Sequence, residues 1–444
     1  MKKQSEKKTK KGVAIGLALA VMLLAIVSMS VSLWQEYAKR RKNIEKESGK
    51  HEVIQLDLTY AYQNPQWNSA IEKLIRDFES DYPGIQVNYE IQYEDQVYED
   101  VLAKKIARNE LGDLVQMKSP KVYAQNQLLT PISSKTASLT ECVYEWNGAV
   151  YGVGAVETTS GILYNRDIFS RYGLSKPDSW EEFLALCQTL KEKGITPVGV
   201  GGGDLWHMEY WVNHAFRTDV LSENAGWLSD CRDGKVSWTD AEPRRMMEHL
   251  LQLFENGYVN ADWQMTTDGG LTYKMSEGEV AMIFTGPWTA ATIQNLNDTM
   301  ELGWFLLPGE DQKVYAADNL DTFWSVTAEC GEDPETYEAA MTFLEYFYDP
   351  EHYMKICQEI TAIPLIREAE PMEKTGIQAD VLDAFARADV RQTAYIGNED
   401  TPEDFEKNFL LLTKRMLAGE LSADETLKEI QEEWERAVGQ EETS

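Results

Sequence analysis

The chain has 444 residues, of which 43% are apolar, and a formal net charge of −32. That length accommodates two ordinary domains and a short appendage, and the apolar share excludes a wholly disordered chain. Residues 1–50 hold twelve Lys/Arg against four Asp/Glu, a net +8 that leaves −40 on the remainder, so nucleic acid and anionic lipid are excluded as partners of the body.

In chain order, Lys2, Lys3, Lys7, Lys8, Lys10 and Lys11 precede an uncharged run from Gly12 to Trp34. A run of that length spans a hydrocarbon layer, and the lysines place the body outside the cell. Ser28-Met29-Ser30 also fits a signal-peptide cleavage site, which would release the body as a secreted protein. The length of the run and the flanking Lys39-Arg40-Arg41-Lys42 favour an uncleaved anchor. The expected order is a basic cytoplasmic head at 1–12, a transmembrane anchor or signal peptide at 13–34 and a polar stalk at 35–51. No cysteine lies nearby to carry a lipid.

Beyond the stalk, Val53–Tyr60 reads as a strand, Trp67–Phe78 as a helix stopped by Asp81-Tyr82-Pro83-Gly84, and Ile85–Ile91 as an alternating strand. A helix over Val97–Ala107 and a buried strand over Leu114–Met117 complete a βαβαβ order, which predicts a parallel sheet covered by helices. Asn147-Gly148 between Tyr144-Glu145-Trp146 and Ala149-Val150-Tyr151 predicts a hairpin. Ile162-Leu163-Tyr164 is a further strand. Ser179-Trp180-Glu181-Glu182 is a capping box opening a helix to Lys193, and Gly194 stops it. Thr196–Val200 is a strand followed by Gly201-Gly202-Gly203-Asp204, a loop expected to need positive φ. Helices follow at Arg244–Asn256 and Gly270–Ser276, a strand at Val280–Phe284, a helix from Asp333-Pro334 to Phe347, and a last helix from the capping box Ser422-Ala423-Asp424-Glu425 to Val438.

Catalytic and phosphate-binding motifs are missing: there is no G-x-x-x-x-G-K-[ST], G-x-S-x-G, H-E-x-x-H or EF-hand loop. His207 and His214 lack a third ligand at metal spacing, so no metal or cofactor is expected. Cys142, Cys187, Cys231, Cys330 and Cys357 are an odd, scattered set, expected as buried free thiols. With 74 Asp/Glu, carboxylate pairs resembling a glycosidase dyad arise by chance. The 13 Trp and 21 Tyr carry more information. Flat rings cover the C–H faces of a sugar while Asp, Glu and Asn accept from its hydroxyls, the general make-up of a ligand cleft.

Four stretches then resemble one family. They are Phe78-Glu79-Ser80-Asp81-Tyr82-Pro83-Gly84-Ile85-Gln86-Val87; Tyr151-Gly152-Val153 through Gly161-Ile162-Leu163-Tyr164-Asn165-Arg166-Asp167 to Gly194-Ile195-Thr196-Pro197; Met275-Ser276-Glu277-Gly278-Glu279-Val280-Ala281-Met282 with Gly286-Pro287-Trp288; and Leu417-Ala418-Gly419-Glu420-Leu421-Ser422. In this order they are similar to the family-1 extracellular solute-binding proteins of ABC importers, the maltose-binding-protein-like group, over about residues 52–440. The resemblance implies an α/β, two-lobe periplasmic-binding-protein-like fold (type II) with a hinge, here preceded by an N-terminal membrane helix. Lobe 1 would be 52–157 with 308–360, and lobe 2 would be 158–307 with 361–440. It implies no catalysis, a carbohydrate ligand, ABC permease subunits as partners and a monomer. By the same resemblance Trp288 is the leading sugar platform, Glu157 and Thr158 meet hydroxyls, and Trp206 supplies a second aromatic wall. Tyr62, Gln63, Asn64 and Trp67 would line the loop after the first strand, with Asp318 and Asn319 as polar partners. The rivals are a site for a polyamine or other organic cation, a membrane-anchored carbohydrate-active enzyme, and the ectodomain of a sensor kinase.

Overall fold

A computed structural model describes residues 53–61, 65–92, 98–108, 110–366, 376–398, 400–402 and 405–441. The uncharged run Gly12–Trp34, with its head and stalk, lies outside them. Among the described residues no helix is long and apolar enough to cross a membrane.

The chain divides into a small unit, residues up to Gln55 with Glu79–Val87, and a large one, Leu56–Phe78 with Asn88–Ser444. The small unit joins the start of strand β1 (Ile54–Ala61) to the start of β2 (Ile85–Gln92). Ile54 N–H donates to Gly84 O at 3.0 Å, and Glu79 accepts from Val87 N–H at 2.9 Å.

The large unit holds two principal sheets. The first runs β1, β3 (Leu114–Met117), β12 (Asn319–Thr327), β6 (Ala149–Thr158), β5 (Val143–Trp146), with β4 (Leu129–Thr130) also on β12. β1 and β3 pair in parallel, Leu58 opposite Leu114, as the βαβ order predicts. The wholly parallel sheet expected from that order is corrected: β12 arrives from 200 residues downstream (the separation of Thr322 from Gln116 is 206) and enters antiparallel to β3, β4 and β6. The β5–β6 hairpin turns at Asn147 (φ 49°) and Gly148 (φ 77°), both in the left-handed region that an Asn-Gly turn requires. The second sheet runs β10 (Leu302–Phe305), β7 (Gly161–Asn165), β9 (Val280–Thr285), β8 (Thr196–Gly199), with only β8 and β9 parallel. A short ribbon pairs β11 (Tyr315–Ala317) with β13 (Val390–Gln392).

Helices cover these sheets through apolar stripes. Helix Pro65–Asp81 turns Trp67, Ile71, Leu74, Ile75 and Phe78 inward, all buried. Phe78 meets Phe343 and Tyr346 edge-on at 5.2 and 5.3 Å, on helix Pro334–Phe347. The N-cap bond of each expected capping box forms, but the Glu182 carboxylate accepts from Asp178 N–H at 2.8 Å rather than from Ser179, so only the Ser422 box is complete. Ser179 Oγ accepts from Glu182 N–H at 3.2 Å, and at Ser422 the exchange is reciprocal with Glu425. The core of the second sheet extends far downstream. Trp238 is fully buried and lies 4.5 Å from Trp227 and 5.2–5.8 Å from Phe216, Phe405, Phe409 and Trp434. Helices Phe405–Leu417 and Ala423–Glu441 therefore complete that core. All five cysteines are free; four are buried and Cys142 is half-buried.

Candidate functional site

Chain segments cross between the two sheets at one place. β6 ends at Thr158 in the first sheet, and Thr159 and Ser160, both buried, lead directly into β7 of the second. Glu157 and Thr158 lie opposite Leu320 and Asn319 at the start of β12. Glu157 also exchanges both backbone hydrogen bonds with Ile363, at 2.9 and 3.3 Å. Asp318 N–H is bound by Gln392 O at 3.0 Å. The backbone beneath is pinned by buried tyrosines: Tyr348 OH donates to Gly154 O at 2.6 Å and Tyr353 OH to Ala155 O at 2.9 Å.

Glu157 is buried at 9% exposure, and its carboxyl is hydrogen-bonded to that of Asp318. Burial, then this bond and the Asp318 charge, push the Glu157 pKa well above the carboxylate range; Arg391 opposes and Glu141 reinforces the shift. At neutral pH Glu157 keeps its proton and donates it to Asp318. The pair offers one donor direction and several acceptor oxygens, which suits a ligand bearing hydroxyls.

The folded form thus holds a proton that the unfolded chain releases above about pH 4.5, so wild-type stability falls as pH rises from there to the folded pKa, by at most about 1.4 kcal/mol per unit. Glu157→Gln is expected to flatten that slope and to be more stable than wild type at alkaline pH. Urea unfolding across the range measures this; equal slopes in the two proteins would refute the shared proton.

The aromatic wall stands on the second sheet. β9 ends at Thr285, opposite Gly161 where β7 begins, so the segment Gly286-Pro287-Trp288 sits at the end of the sheet that receives the crossing. The half-buried Trp288 indole lies over Gly286, where a Cβ would come within 2.0 Å of the ring. Only glycine leaves that space. On β9 itself, Phe284 carries Tyr210 of helix Glu209–Phe216 stacked at 6.2 Å and 16°, and Trp206, 46% exposed, meets Tyr210 edge-on at 6.1 Å. Fully buried His207 underlies both rings, and burial lowers its pKa to about 4. These groups rise beyond the carboxyl ends of the parallel strands β8 and β9, where open α/β sheets bind ligands.

The glycine loop has a different cause from the one expected. None of Gly201, Gly202 or Gly203 has positive φ. They are needed because backbone and rings approach closely: a Cβ would lie 2.5 Å from the Trp263 ring at Gly202 and 2.8 Å from the carbonyls of Met265 and Thr266 at Gly203. Lys414 Nζ donates to Gly202 O at 2.5 Å and ties the loop down.

Of the residues singled out in the sequence, Glu157, Thr158 and Asp318, with the backbone of Asn319, gather at the crossing, and Trp288 and Trp206 stand at the adjoining end of the second sheet. Trp67 packs in the core at 0% exposure and presents no face to solvent. Tyr62, Gln63 and Asn64 lie outside the described residues. His207 and His214 are buried, and among the described residues no cluster of metal-ligating side chains occurs. Sequence reasoning missed a second carboxyl pair. Glu209, beginning helix Glu209–Phe216, has its pKa raised by burial and by the charge of Glu406, while Lys118 at the end of β3 opposes it. Glu406 fits only because Gly397 has no side chain, its Oε1 lying 2.3 Å from the Cβ position there. Among 74 acidic residues nothing local distinguishes these two.

The described fold is thus two sheets joined by crossing segments, with aromatic rings and the Glu157–Asp318 carboxyl pair near the join. Residues 64–354 match the family described as bacterial extracellular solute-binding protein. The chain belongs to that family. It is similar to the multiple sugar-binding protein of Streptococcus mutans, 23% identical over 299 residues, covering 65% of this chain and 69% of that protein. It is also similar to the melibiose/raffinose/stachyose-binding protein MelE of Bacillus subtilis, 21% identical over 330 residues, 71% of this chain and 73% of the other. Among solved structures it resembles the solute-binding protein RafE in complex with raffinose, with a TM-score of 0.73, 21% identity and coverage of 87% of this chain and all of that one. At that identity the likeness concerns the fold.

Proposed function

We propose that this chain captures a mono- or oligosaccharide outside the cell and delivers it unaltered to the permease of an ABC transporter. One observation supports the reading: the Glu157–Asp318 carboxyl pair stands where β6 passes toward β7, and the Trp288 segment leaves β9 opposite the start of β7. Rings cover the apolar faces of a sugar and the carboxyl pair exchanges hydrogen bonds with its hydroxyls. Family membership and the named ligands of the relatives support carbohydrate over other solutes. The lobes are 52–157 with 308–360 and 158–307 with 361–440, and the body works as a monomer held to the membrane by residues 13–34. Ligand contacts both lobes and thereby favours the closed form that a permease recognises.

A thermal-unfolding screen against neutral sugars and organic cations tests the assignment. A true ligand at a hundred times its dissociation constant adds about 2.7 kcal/mol of stability. The expected result is a shift with an oligosaccharide and none with a polyamine. A shift with polyamines alone, weakening steeply with salt, would overturn it.

A further inference from the structure

His249 lies on helix Ala241–Glu255, which packs on helix Glu209–Phe216 and the π turn that continues it. Its ring is held from both ends. Nδ1 is 2.8 Å from Asp219 Oδ2 and Nε2 is 2.7 Å from Glu310 Oε1. Asp219 sits in the π turn Arg217–Leu221, and Glu310 in the 308–313 loop. That loop carries the chain from β10 to β11, with Pro308 bridged to Val314 across its base, and the passage to β12 follows at Asp318. It rests on the π turn at Gly309, where a Cβ would lie 3.3 Å from Thr218, and closes on itself through Gly309 N–H to Lys313 O at 2.9 Å.

A carboxylate only accepts, and a neutral imidazole has a single N–H. With a carboxylate at each ring nitrogen, only the imidazolium donates to both. The surrounding charges are consistent with a cation here. Arg245, one turn earlier on the same helix, approaches Asp219 at 3.5 Å and is paired with Glu223 at 2.6 Å. From helix Glu209–Phe216 the buried His214 faces the group, and burial together with the charges of Arg217 and His249 holds it neutral near neutral pH. Asp219 and Glu310 are the two acids on His249 itself. Burial opposes its protonation, and the Asp219 bond and the two acidic charges outweigh burial, leaving its pKa above the usual value.

We propose that the His249 imidazolium, clamped between Asp219 and Glu310, is a pH-sensitive strap that fastens the 308–313 loop to helix Ala241–Glu255 and the π turn and releases it when the ring loses its proton. The strap is fully engaged below the ordinary histidine pKa of about 6.5 and is lost as pH rises through the higher folded value.

Hydrogen exchange of the ligand-free full-length protein, corrected for intrinsic rates, tests this without any assumption about the ligand. Amides of 308–313 are expected to exchange at least about tenfold more slowly at about pH 5.5 than at about pH 8.5. Glu310→Ala, at a side chain that is 54% exposed and so compatible with folding, is expected to exchange at the faster rate at both pH values. The His249 ring resonance should titrate above about 6.5 in wild type and lower in Glu310→Ala. Equal wild-type protection at the two pH values, an alanine variant as protected as wild type in acid, or an unmoved His249 titration would each overturn the strap.

Discussion

Replacing Trp288 with alanine is expected to weaken carbohydrate binding by about 2–4 kcal/mol, the loss typical of a central aromatic anchor. The indole is only half-buried, and its position is imposed by the chain. It closes over Gly286 at a distance no side chain there could tolerate, at the end of β9 that adjoins the crossing. A ring held in place before binding loses little conformational freedom when a ligand stacks on it. The same geometry supplies a companion variant. Gly286→Ala would put a Cβ 2.0 Å from the ring, so the indole must move although it is still present. Calorimetry should show comparable losses in both proteins with little change in unfolding temperature. Wild-type affinity in Trp288→Ala would remove this ring from the site, and tight binding in Gly286→Ala would show that its placement is irrelevant.

Trp238→Ala should cost about 3–5 kcal/mol of stability, toward the top of that range. The side chain is wholly buried and has five aromatic neighbours at 4.5–5.8 Å, drawn from four separate stretches of chain. Removing the indole leaves a void that rings anchored on different helices cannot close together, so the cavity cost adds to the lost transfer energy. Domains are stable by only about 5–15 kcal/mol, and a loss of this size approaches the lower bound. Urea denaturation followed by circular dichroism measures it. A loss below about 1.5 kcal/mol would mean that the cluster repacks.

Much of this architecture was legible where its cause is local. The Asn147-Gly148 turn, the N-cap bonds at Ser179 and Ser422, and the inward stripe of helix Pro65–Asp81 each depend on residues within a few positions, and each is present. The β12 pairing was not legible, because nothing near Asn319–Thr327 records that its partners lie at 114–117 and 149–158. Helices Thr289–Leu296, Pro350–Ile360, Gly376–Ala386 and Phe405–Leu417 were also missed, although Tyr353, Ile356, Cys357 and Ile360, and Phe405, Phe409, Leu412 and Met416, recur at helical spacing and were readable. The acidic groups show the same limit. Glu157 was found through the crossing motif around it. Glu209 and Glu406, and the pairing of His249 with Glu310, exist only because distant segments meet. The Gly201–Gly203 loop was located from its composition, but its steric reason lies about 60 residues away, in Trp263, Met265 and Thr266.

The arrangement around Trp238 makes this core depend on segments far downstream. Three of the five rings that enclose it, Phe405, Phe409 and Trp434, come from helices Phe405–Leu417 and Ala423–Glu441, about 170–200 residues downstream of Trp238. Without those helices this interior lacks three of the rings that seal it, so a chain cut before Phe405 is expected to leave Trp238 open to water, which its fluorescence would report.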